Sequence, residues 1–83
     1  MAAGGRGDDA GVVLAHHARV LRLLAAVAGL LAQWDAYDAD QAHSPTQRIG
    51  VRPPKVTRAS CERLQARYLA ELARIEAGLP YPN

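Results

Sequence analysis

Eighty-three residues with a single cysteine and a net charge of +2 bound the chain to one small domain, with no internal disulfide and no cysteine-based metal site. At that length a monomer hides only a modest share of its surface and is marginally stable unless it packs very well or gains a partner. The charge is uneven: residues 1–43 hold three Arg against five Asp, and residues 44–83 hold seven basic against three acidic. Either the two halves lie against each other or the second attracts an anionic partner.

Residues 1–8 read as a mobile N-terminal tail, rich in Gly and Ala. Arg6-Gly7-Asp8 spells an adhesion-receptor tripeptide, which three residues match readily by chance. Asp8 and Asp9 stand where a signal peptide needs a positive lead into an apolar segment. With one thiol in the chain, the expected location is a reducing compartment, cytoplasmic or nuclear.

Asp8 or Asp9 is placed to cap a first helix drawn from about Ala10 to about Ala42, roughly 50 Å long. At 100° per residue Val12, Val13, Val20, Leu23, Leu24, Val27, Leu30, Leu31, Trp34 and Tyr37 fall within one wide apolar arc. Behind it Ala18, Ala25, Gly29, Ala32 and Ala36 form a stripe of small residues, with Leu14 and Leu21 beside it. A close helix neighbour fits there, and Gly29, costly inside a helix, suggests that something needs its missing side chain. The most apolar run, Leu23–Ala32, is bounded by Arg19 and Arg22 and by Asp35 and Asp38, too short a stretch for a transmembrane span. Asp35, Asp38 and Asp40 oppose the helix dipole, so the last turn frays or is held by outside basic groups.

The linker His43–Val56 contains Pro45, Gly50, Pro53 and Pro54 with Arg48, Arg52 and Lys55 and no acid. Its basic residues are expected to return onto Asp35 and Asp38. A second helix then has clear punctuation, with Thr57 as N-cap, Val56 and Cys61 as a hydrophobic staple, and Gly78 and Pro80 as the stop. Cys61, Leu64, Tyr68, Leu72 and Ile75 form its apolar stripe, and Glu71 is spaced to pair with Arg67 and Arg74. Residues 79–83, with two prolines, form an extended C-terminal tail.

The predicted fold is therefore all-α: a helical hairpin over residues 9–78, one long and one shorter helix joined by a Pro-containing basic loop. No catalytic constellation, cofactor motif or phosphate loop is present in the sequence. His16 and His17 point about 100° apart on a helix and read as solvent-edge residues, not a ligand pair. Asp35, Asp38, Asp40 and His43 read as a solvated acidic helix end, and Cys61 as a buried structural thiol. The second helix cannot cover the first, which implies a small non-catalytic subunit or adaptor that binds a protein partner or a copy of itself through Leu23, Leu24, Val27, Leu30, Leu31 and Trp34, with Tyr68 and Leu72 closing the intramolecular side. Two alternatives remain on the sequence alone: an anion- or nucleic-acid-binding module using Arg48, Arg52, Lys55, Arg63, Arg67 and Arg74, and a membrane-surface protein held by the first helix.

Overall fold

The computed structural model describes the backbone of residues 2–78 and the side-chain surroundings of residues 11–78. A long helix α1 (Ala2–Gln41) leads through a linker with one 3-10 turn (Pro45–Gln47) into a shorter helix α2 (Arg58–Gly78). This is the all-α hairpin that the sequence predicts. The predicted C-terminal tail lies outside the described residues.

The start of α1 differs from the expectation. Helix begins at Ala2 rather than near Ala10, so Asp8 and Asp9 lie within it instead of at its cap, and helical backbone runs through residues read as tail. No proline stands upstream of Pro45 to break the ladder, and each glycine costs only about 1 kcal/mol relative to Ala.

The far end of α1 is tied down by the linker. The Arg48 guanidinium reaches back and donates to the Gln41 carbonyl at 3.0 Å and the His43 carbonyl at 3.1 Å, placing a cation where the helix dipole is negative. Pro45 opens the 3-10 turn with its φ already fixed, and the Gln47 N–H donates to the Ser44 carbonyl to close it. Just beyond, the N–H groups of Ile49, Gly50 and Val51 donate to the Asp40 carboxylate at 2.8, 3.1 and 3.0 Å. That arc of donors needs Gly50 at φ +85°, where a Cβ is disfavoured. Asp40 is consequently buried although charged. Further along, the Trp34 indole N–H donates to the Val56 carbonyl at 2.8 Å.

α2 starts as predicted. Thr57 Oγ1 accepts the Ser60 N–H at 3.1 Å and the Thr57 carbonyl accepts the Cys61 N–H at 3.0 Å, which is N-cap geometry. Cys61 is fully enclosed, as a structural thiol on the apolar stripe should be.

Between the helices the core is thin. Among the described residues the buried apolar side chains are Val20, Val27 and Cys61. The radius of gyration is 19.0 Å and the extents are 68 × 22 × 17 Å, against about 12 Å expected for a compact globule of this length. Val13, Val20, Val27 and Trp34 stand seven residues apart, as do Cys61, Tyr68 and Ile75. Each set forms a column along its helix, the spacing of helices that pack nearly antiparallel.

Candidate functional site

Ion pairs between the helices fix which columns share a face. His16 Nε2 meets Glu71 at 2.9 Å, and its neighbour His17 meets Glu76 at 3.1 Å. Because consecutive helical residues point about 100° apart, the two imidazoles grip α2 from opposite sides. They are partners of acids on the other helix, with His16 exposed at the solvent edge where the sequence places it and His17 half-buried. At the other end Arg58 spans Asp35 at 3.0 Å and Asp38 at 2.6 Å. The cation on these acids is thus the first residue of α2, not Arg48, Arg52 or Lys55 of the linker as expected. Asp35's hydrogen bond, followed by Asp38's, outweighs desolvation and raises the Arg58 pKa above its ordinary value.

His17, Leu24, Leu31 and Asp38 form one heptad column of α1, and Leu14, Leu21, Ala28 and Asp35 the next. Both columns end on Arg58, and the first begins at the His17–Glu76 pair. On α2 the matching columns are Arg58, Gln65, Leu72 and Glu62, Leu69, Glu76. One face of the hairpin is therefore largely apolar between two inter-helix ion pairs, interrupted by Gln65 and by Glu62 in the column of Leu69. Leu21 is 44% exposed and Leu69 51%. Leu14 and Val13 are also exposed, and Val12 is 67% so.

The opposite face mixes charged and apolar side chains. His16, Arg19, Leu23, Arg67, Tyr68 and Glu71 line a shallow groove there, and Ser60, Arg63, Leu64 and Arg67 a second. Glu71 is bonded by His16 and by Arg74, not by Arg67. Its pKa lies below the ordinary carboxylate value, His16's hydrogen bond being the largest cause, with burial opposing and Arg74 assisting. The Asp40 pKa is lowered first by the Ile49 N–H, against desolvation, then by the Val51 and Gly50 N–H groups and the nearby charge of His43.

The predicted partner-binding residues divide. Val27 is turned into the seam at 5% exposure, and Leu23, Leu24, Leu30, Leu31 and Trp34 are half-buried. The more exposed apolar side chains are their flankers Leu14 and Leu21, together with Leu69 across the hairpin. The predicted anion-binding set is scattered. Arg48 is spent on helix-end carbonyls, Arg74 on Glu71, and Arg63 donates to Ser60 at 3.0 Å. Arg63 and Arg67 of that set line one groove, while Arg52 and Lys55 stand exposed in the linker. Sequence reasoning missed the functions of Asp40 and Arg58, and the one available signal was Gly50 in an otherwise stiff linker.

Gly29 has open space around it: a Cβ built there meets nothing within 4 Å. The expectation that a neighbour needs its missing side chain is not met within this chain. Residues Gly11–Gln41 also hold an 18-residue window of mean hydropathy 1.4, 11% buried. By length and composition α1 can cross a membrane, which the sequence reading of too short a stretch did not allow; core helices and signal sequences meet the same criterion. Among the described residues no three His, Cys, Asp or Glu side chains gather as a metal site.

Comparison with known proteins gives no further guide, since no family model matches the chain and no curated protein or solved structure is significantly similar to it.

Proposed function

We propose that this chain is a small non-catalytic helical subunit that packs into a protein assembly through the apolar face carrying Leu14, Leu21, Leu24, Leu31, Leu69 and Leu72. The observation that supports it is the mismatch between the two helices. α1 presents four largely apolar columns, those of Val20, Leu24 and Leu21 and a fourth through Leu23, Leu30 and Tyr37, and a two-helix seam uses about two of every seven positions. Leaving the surplus bare forgoes about 1.5–3 kcal/mol for each large side chain that a partner could bury, in a chain whose described residues bury three apolar side chains. The partner side is thus rotated away from the seam, toward Leu21 and Leu69.

The test is native-size chromatography of the tagged chain from its own cells. The wild-type chain should elute well above the size of its 8.9 kDa monomer, and Leu21→Asp should move it to the monomer position. Elution of both as monomers refutes the proposal.

The composition of α1 supports a second reading, attachment to a lipid surface, because an 18-residue apolar window within Gly11–Gln41 is little covered. Vesicle flotation that survives high salt and is lost in Leu21→Asp favours that reading. Nucleic acid has weaker support, since the basic side chains do not converge on one surface.

A further inference from the structure

We infer that the groove between the helices, on the face opposite the apolar strip of Leu21, Leu24 and Leu69, binds a phosphate monoester through Arg19 of α1 and Arg67 of α2. The site goes beyond the packing proposal and does not depend on it, since the two use opposite faces of the hairpin.

The acids that could neutralise these two arginines are engaged elsewhere. Among the described residues, Asp35 and Asp38 hold Arg58, Asp40 accepts the linker amides and Glu76 meets His17. Glu71 lines the groove itself, but its Oε2 is taken by His16 and its Oε1 by Arg74. Glu62 stands in the column of Leu69, on the other face. The ion-paired cations among the described residues are His16, His17, Arg58 and Arg74. Arg19 and Arg67 are not of that set, and they come to one groove from two helices. Two permanent positive charges thus share a space in which each carboxylate oxygen already has a partner.

A single surface arginine is satisfied by water. In a pair from facing helices each guanidinium raises the potential at the other, and one anion placed between them relieves both. Guanidinium donors match phosphate oxygens two at a time, and two guanidiniums match the double charge of a monoester. Arg63, four residues before Arg67 and bonded to Ser60 at 3.0 Å, extends the positive potential along α2. So few cations cannot follow a nucleic-acid backbone; they suit one anionic group. Beneath them Val20, Leu23 and Tyr68 supply an apolar floor to a space of about 430 Å³, within the range of small-ligand sites. The groove therefore suits an ester with a compact apolar or aromatic body better than it suits inorganic phosphate.

NMR of the full chain, following the arginine Nε–Hε signals at about pH 7.5 with phenyl phosphate as the probe, tests the inference. The Arg19 and Arg67 signals should shift along a saturating curve, and inorganic phosphate, which lacks a contact with the floor, should need about tenfold more to reach half saturation. Arg19→Gln and Arg67→Gln, both at exposed positions, should each weaken phenyl phosphate binding at least about tenfold and leave the helical circular dichroism unchanged. Arg22→Gln removes the same charge from the same helix outside the groove and should leave binding intact. Shifts that rise without saturating overturn the inference, as does an Arg22→Gln effect equal to that of Arg19→Gln, or binding that ignores Arg67→Gln. Flotation with phosphatidylcholine vesicles, with and without phosphatidic acid, identifies the source of the ester. Flotation that needs both phosphatidic acid and Arg67 supports the site and assigns it to a lipid headgroup; phenyl phosphate binding without such flotation supports it and assigns it to a free ester.

Discussion

Gly29→Ala adds one methyl group at a point where the physics is simple. Gly29 lies deep inside α1, is exposed, takes no positive φ, and has no atom within 4 Å of the Cβ it would gain. The substitution therefore meets no steric cost, and it removes unfolded-state freedom that only glycine has. In a helix interior the difference is about 1 kcal/mol in favour of Ala, equivalent to a thermal midpoint about 4–8 °C higher for a domain of this size. Thermal melting followed by circular dichroism measures it, with Ala25→Gly, one turn earlier on the same exposed side, as a control of opposite sign. The pair also reports on association. Gly29 points away from the apolar strip, so its new methyl should leave association through that strip unchanged. A lower midpoint, or weaker association, would show that another helix closes on the small-residue stripe, and the face assigned to the partner would be wrong.

Asp40→Asn should leave the three donors of residues 49–51 poorly matched and speed exchange of the Ile49, Gly50 and Val51 amides about tenfold or more, read by NMR; unchanged protection would mean that the loop holds itself. Gly50→Ala places a side chain at φ +85° and should cost about 1–2 kcal/mol in urea unfolding. Acid should destabilise the hairpin with a definite sign. The Asp40 and Glu71 pKa values are lowered on folding from 3.8 and 4.5, so their contribution is fully present above those values and lost as pH falls through the lower folded ones. Helicity should thus hold down to about the ordinary carboxylate range and decline below it, and Asp40→Asn combined with Glu71→Gln should flatten that limb. A wild-type acid limb that the double variant leaves untouched would remove both carboxylates from the explanation.

What could be read in the sequence was whatever depends on neighbours along the chain. Thr57 caps α2 because its own hydroxyl reaches the Ser60 N–H three residues on, and the apolar period fixed two helices and their rough lengths. What could not be read depends on how the chain turns back. Asp40 has the same composition cue as Asp35 and Asp38, yet it alone is buried under the loop, because only the turn at Pro45–Gln47 brings Gly50 over it. Arg58 displaced the linker cations at Asp35 and Asp38 because the first residue of α2 comes down beside them. His16 and His17 lacked acids at helical spacing in their own helix and found them on the other. A ten-residue arc likewise does not say which of its edges faces α2. The seven-residue columns, present in the sequence but read as a continuous arc, do say it once His17 and Arg58 are placed, and the exposed edge moves from Val27 to Leu21.

The thermal midpoint of the isolated chain should be compared with that of the chain held in its native assembly. A hairpin that completes its core against a partner melts later in the assembly, by several degrees, and Leu69→Asp abolishes the difference. A sharp transition at one high temperature, the same in and out of the assembly and indifferent to Leu69, would show that Val20, Val27 and Cys61 suffice as a core and that the leucines outside them need no cover.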